Sequence, residues 1–77
     1  MAINQELSIK FGKQVRRLRE ARGLSSADAS RLLLMDRSNW SRIETGKTNI
    51  TISTMNEICK KLNITFQELF EEFNHID

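Results

Sequence analysis

The chain has 77 residues, with one cysteine, one histidine and no proline. A lone thiol, Cys59, excludes a disulfide within the chain. With only His75 beside it, that thiol does not supply the ligands of a structural zinc site. Cys59 therefore reads as a small core residue. Long apolar runs are also missing. The opening stretch MAINQELSIK carries neither the hydrophobic segment of a signal peptide nor a membrane span. A free thiol without an export signal points to the cytoplasm, and no membrane partner is expected. Strand-like alternation is confined to the four residues ITIS at 50–53, too few to count. No paired acid and base and no phosphate-cradling glycine loop occur, and His75 lies near the end of the chain. Neither an enzyme nor a cofactor is expected.

Length sets a further bound. At this size one domain, residues 1–77, is expected. A core below roughly 80 residues contributes only a few kcal/mol of net stability, so good helix packing or a partner subunit must supply the rest. The net charge is +2, but it is unevenly spread. Residues 1–47 hold ten Lys/Arg against five Asp/Glu, whereas residues 48–77 hold two against five. This division suits one face that meets a polyanion and another that does not.

Helical spacing of apolar residues appears five times. Leu7, Phe11, Val15 and Leu18 share one face of a first helix, with Arg16, Arg17, Glu20 and Arg22 around it, and Gly23 is placed to end it. Ser25 and Asp28 form a capping box for a second helix through Ala29, Leu32 and Leu33. Asp36 is a good N-cap for a short third helix with Trp40 and Ile43 inward, stopped by Gly46. Ser53 or Thr54 can cap a fourth, carrying Met55, Ile58, Cys59 and Leu62. Thr65 and Glu68 make a second capping box, opening a fifth with Phe66, Leu69, Phe70 and Phe73 on its apolar side. The expected fold class is all-α, a compact five-helix domain.

The second and third helices are each about eight residues long and joined by a tight turn, so neither buries much alone. They make sense as a helix-turn-helix, in which the first braces the second and the outer face of the second projects. That face or its N-terminal tip holds Arg37, Ser38, Asn39, Ser41 and Arg42. These are residue types that read a major groove: Arg bridges guanine O6 and N7, Asn pairs with the adenine edge, and Ser adapts to several bases.

The stretches VRRLREARGLS, DRSNWSRIETGK and NITISTMNEICKKLNITFQELF resemble the Xre/Cro family of bacterial and phage regulators, without a gap from about Phe11 to Phe70. The run Arg42–Lys47 together with Leu24 and Ser25 is the strongest part of the match. Asp36–Ser41 and Asn49–Ile52 look most like the controller proteins of restriction-modification systems, and phage-type repressors are the other branch. The resemblance implies the phage-repressor (Cro-like) form of five-helix domain and a transcriptional regulator binding double-stranded DNA. It implies base contacts from Arg37, Ser38, Asn39 and Arg42, and sugar-phosphate contacts from Ser26, Ser41, Thr45, Lys47, Thr48 and Asn49. It also implies a structural ion pair between Arg19 and Glu44.

Three positions depart from the family pattern. Ser26 replaces a glutamine that touches phosphate, with shorter reach. Trp40 replaces an aliphatic core residue, and the small Ala29 and Ser30 leave room for it as a structural anchor rather than a base-stacking ring. Leu34 stands where the turn usually has glycine. A positive φ is costly for leucine, so the turn is expected to change or the second helix to run longer.

The expected mode of action is a homodimer on a palindromic operator. Its interface is expected among Ile50, Ile52, Phe66, Phe70 and Phe73, because the apolar stripe of the fifth helix is wider than a monomer of this size needs. RNA polymerase is a further partner that such regulators touch. The basic run KQVRRLREAR fits either a backbone-tracking face or a solvated one. A second function class stays open: a protein-interaction module, such as an antitoxin-like protein, working through Glu68, Glu71, Glu72 and Asp77.

Overall fold

The computed structural model describes residues 5–71. Five helices follow in order: α1 Gln5–Ala21, α2 Ser26–Leu32, α3 Arg37–Glu44, α4 Ile52–Leu62 and α5 Phe66–Leu69. Those after α1 have 11 residues or fewer, and helices so short are marginal unless their apolar faces are buried by neighbours. Every helix here supplies a fully buried residue: Val15, Ala29, Trp40, Ile58 and Leu69 are each 0% exposed. Phe11, Ile43, Cys59, Leu62 and Ile64 complete this core. Burial raises the pKa of the Cys59 thiol, in keeping with an inert core residue. Among the described residues no helix is long and apolar enough to cross a membrane.

The helix starts follow local chemistry. Ser25 and Asp28 cap α2 reciprocally, and Thr65 and Glu68 do the same for α5. Asp36 sits at the N-cap of α3 with extended backbone, but its side chain makes no capping bond; its carbonyl takes the first turn's bond from Trp40 N–H at 3.0 Å. The cap of α4 is Thr51, whose hydroxyl accepts from Thr54 N–H, rather than Ser53 or Thr54. Starting two or three residues earlier than expected draws Ile52 into the helix. Leu7, expected on the core face of α1, is 43% exposed, since it stands on the turn of α1 that precedes Phe11. The fifth helix is a single turn, with Phe70 at its cap, and Phe73 and His75 lie outside the described residues.

The helix ends share one device. After α1, α2 and α3 the chain makes the paired bonds of a Schellman turn: Leu24 N–H to Arg19 O with Gly23 N–H to Glu20 O, Met35 N–H to Ser30 O with Leu34 N–H to Arg31 O, and Lys47 N–H to Arg42 O with Gly46 N–H to Ile43 O. The left-handed residues are Gly23, Leu34 and Gly46, and Asn63 plays that part after α4. The expectation that Leu34 would alter the turn or lengthen α2 is thus overturned. Leu34 takes φ +54°, and α2 stops at Leu32. Two hydrogen bonds that satisfy otherwise orphaned carbonyls offset the strain of a leucine in this region.

Two seams fix α1. Gln14, buried on its inner face, donates Nε2–H to the Glu68 carbonyl at 2.8 Å, and Arg22 reaches both the Asn63 carbonyl and the Glu68 carboxylate. The amide of Thr65 and then Arg22 hold the Glu68 carboxyl below its usual range. On the other side α1 lies against α3. A Cβ added at Gly12 would stand 2.5 Å from the carbonyl oxygens of Ile43 and Glu44, so only glycine permits this approach.

Two substitutions test this account in opposite directions. Gly12→Ala is expected to lower the unfolding free energy by about 3 kcal/mol, because backbone on both sides cannot yield. Leu34→Gly is expected to raise it by roughly 0.5–1 kcal/mol, the left-handed strain relieved less the extra entropy of glycine when unfolded. Urea titration followed by circular dichroism reads both.

Candidate nucleic-acid interface

Helix α3 is amphipathic over only eight residues. At about 100° per residue, Trp40, Ile43 and Glu44 fall together and point toward α1 and α2. The indole is 0% exposed and Ile43 4%. The Trp40 Nε1–H finds no hydrogen-bond partner among the described residues, so the ring serves through its volume. Buried Ala29 and Ser30 lie on the facing helix, small enough to admit it. Opposite this underside run Ser38, Ser41, Arg42 and Thr45, with Arg37 and Asn39 on the two flanks, and all six are exposed.

Electrostatics separate this face from the rest of the basic half. On α1 and just past its end the cations are largely engaged: Lys10 with Glu6, Arg16 with Glu20 at 3.5 Å, Arg19 with Glu44 and Arg22 with Glu68. Arg31 on α2 pairs with Asp28 at 2.7 Å. Among the described residues Arg37, Arg42 and Lys47 make no ion pair, and all three are exposed. Three unneutralised charges around one short helix are what an anionic surface would meet first.

The loop after α3 continues the surface. Thr45 caps α3 and donates its hydroxyl to the Ser41 carbonyl at 2.8 Å, so it belongs to the helix end rather than to the loop. Lys47 and Asn49 are exposed and Thr48 is half-buried. Asn39, Arg42, Thr48 and Asn49 line one open hollow between α3 and the start of α4. Thr54, in the first turn of α4, lines the same hollow. Sequence reading placed Thr54 as a possible cap only; its place here depends on where α4 packs. Arg37, Ser38, Ser41, Thr45 and Lys47 stand outside that hollow, and so does Ser26, half-buried at the start of α2.

A bidentate ion pair sets the height and tilt of α3. Arg19 Nε–H donates to Glu44 Oε2 at 2.7 Å and Nη2–H to Oε1 at 3.2 Å, while Nη1–H reaches the Leu24 carbonyl at 2.7 Å. Both side chains are only 8% exposed. The hydrogen bond to Glu44 raises the Arg19 pKa above its already high ordinary value, against the pull of desolvation. One guanidinium thus joins α1, the turn before α2, and the last residue of α3.

Comparison with known proteins gives a consistent picture. A family model described as a helix-turn-helix domain matches residues 10–73. Control protein C.MunI from a Mycoplasma species is 34% identical over 68 residues, which span 87% of this chain and 92% of that protein. The plasmid copy control protein CopR of Streptococcus agalactiae is 47% identical over 49 residues, 62% of this chain and 53% of CopR. Among solved structures, the restriction-modification controller protein C.AhdI from Aeromonas hydrophila superposes with a TM-score of 0.79 at 34% identity, covering 84% of this chain and 98% of C.AhdI.

The brace is open to test. Arg19→Met leaves the Glu44 carboxylate buried without its partner and is expected to cost about 3–5 kcal/mol. Adding Glu44→Gln to that variant is expected to restore part of the loss. Equal losses from the single and the double variant in urea unfolding would show that the pair does not couple α1 to α3.

Proposed function

The chain belongs to the helix-turn-helix domain family of DNA-binding transcriptional regulators, and from that premise we propose that it acts as a homodimer on a palindromic operator. The observation that carries this reading is the exposed polar face of α3, with unpaired Arg37 and Arg42, mounted on a buried Trp40 and Ile43. Eight residues of helix span about 12 Å, enough to read one half-site of a few base pairs. A second copy would set another α3 one turn of DNA away, roughly 34 Å, and double the contacts. In this reading Arg37, Ser38, Asn39 and Arg42 face base edges, while Ser26, Ser41, Thr45, Lys47, Thr48 and Asn49 meet the sugar-phosphate backbone.

The apolar residues set aside for the dimer divide into two groups. Ile50 and Phe70 pack against the core, and Phe70 lies 6.3 Å from both the Phe11 and Phe66 rings. Ile52 is 78% exposed and Phe66 44%. Ile52 opens α4 and Phe66 lies just past its other end, so the subunit contact we propose runs along α4 with these two residues at its margins. Likeness to C.MunI and C.AhdI over nearly their whole lengths supports a controller of restriction-modification genes.

The test is binding to a symmetric duplex as a function of salt. Neutralising about six phosphates predicts roughly a thousandfold loss of affinity between 50 and 200 mM salt. Arg42→Ala is expected to cost about 1–3 kcal/mol at one base pair of each half-site, whereas Lys47→Ala weakens all sequences alike. Affinity that stays flat with salt would exclude the DNA reading; one protein per duplex at saturation would exclude the dimer.

A further inference from the structure

The turn between α2 and α3 carries the most exposed large apolar side chain among the described residues. Leu34 is 90% exposed, against 41% for Leu32. It is also held at φ +54°, in the turn position that glycine occupies after α1 and α3. Leucine there is unfavourable twice over, in backbone strain and in apolar surface left in water, and among the described residues its side chain has no place in the core. What stands beside it is informative. Leu34 lines an open hollow together with Met35, Asp36 and Asn39, and Asn39 is an exposed flank residue of α3. A leucine methyl group and a carboxamide therefore border one recess at the N-terminal end of the recognition helix, the end that meets base edges in this kind of docking.

An amide and an apolar group side by side have the chemistry of one particular base pair. Asparagine bonds adenine at N6 and N7, and an apolar group packs on the 5-methyl of the paired thymine. We propose that Leu34 is a specificity-determining residue: with Asn39 it selects an A·T pair at the edge of each half-site, Leu34 covering the thymine methyl group. The inference rests on the DNA-binding reading and adds to it a base identity and a residue that sequence reading took only as a defect of the turn. The guanidinium of Arg31, which pairs with Asp28 at 2.7 Å, borders the same hollow.

Leu34→Gly separates this role from a structural one, because it removes the side chain while relieving the strained turn. The probe is a duplex selected from a randomised library by the wild-type protein, then remade with each thymine in turn replaced by deoxyuridine. For the wild type, one thymine per half-site is expected to show about a fourfold loss on demethylation, the equivalent of one buried methyl group at roughly 0.8 kcal/mol. Leu34→Gly is expected to bind the methylated and demethylated probes equally, to lose about fourfold on the original duplex, and to melt no lower than the wild type. A wild type insensitive to every demethylation, or a glycine variant that keeps the same sensitivity, overturns the proposal while leaving DNA binding intact. If no duplex is selected from the library, the DNA-binding reading falls and this proposal falls with it.

Discussion

Glu44 meets α1 twice, and the geometry of the whole motif follows from those two meetings. Its carbonyl oxygen closes over Gly12, where no side chain could fit, and its carboxylate takes both arms of Arg19. The first contact sets how near α3 lies to α1, and the second sets its rotation, because a fork-to-fork pair tolerates little tilt. A helix of eight residues cannot fix its own position. Pinned at its C-terminal residue and anchored below by Trp40, α3 can leave the opposite face entirely polar and exposed. Arg19 also satisfies the Leu24 carbonyl, so the same guanidinium that seats α3 places the start of α2. A buried charge is costly in a core this small, and here its fixed partners make it a register pin for three elements.

Charge is used in two ways within the basic half of the chain. On α1 and α2 most cations answer a carboxylate one helical turn away or across a seam, and they contribute to the surface or to the brace. Around α3 the cations have no such answer among the described residues. Exposed helical pairs are worth only tenths of a kcal/mol, so the pairing on α1 matters less for stability than for what it removes: free positive charge away from the reading face. The net charge of the first 47 residues therefore overstates how widely an anion would be attracted. Arg37, Arg42 and Lys47 cluster around α3, whereas Lys13, likewise exposed and without an ion pair among the described residues, stands alone on α1.

Local signals in the sequence were reliable where one residue type has one job. Ser25 with Asp28 and Thr65 with Glu68 cap reciprocally because spacing alone dictates that geometry, and Gly23 and Gly46 end helices because of their backbone freedom. The start of α4 differs from the expected one because TNITIST at 48–54 offers several hydroxyls (Thr48, Thr51, Ser53 and Thr54), and only the position of the preceding loop selects Thr51. Gly12 and Gln14 carried no local signal. Their roles exist only once α3 and α5 are packed against α1, since one contact spans more than thirty residues and the other 54. The exposed face of α3 was legible through its inward complement: placing Trp40 and Ile43 inside leaves the remaining residues outside by helical geometry.

Leu34 is the point at which local preference and tertiary structure disagree most. The sequence rule is sound: a left-handed leucine costs about 1–2 kcal/mol. Lengthening α2 would have avoided that cost, but it would have carried Met35 and Asp36 out of register and lost both Schellman bonds that close the helix. It would also have swung α3 away from the Arg19 brace. Three losses outweigh one strained residue, so the turn keeps the shape that glycine would give it. Natural chains retain such strain chiefly where a side chain does something the fold itself does not require. A leucine that is strained, almost fully exposed and adjacent to the recognition helix fits that pattern, and the stability lost in the turn is then the cost of a contact made outside the protein.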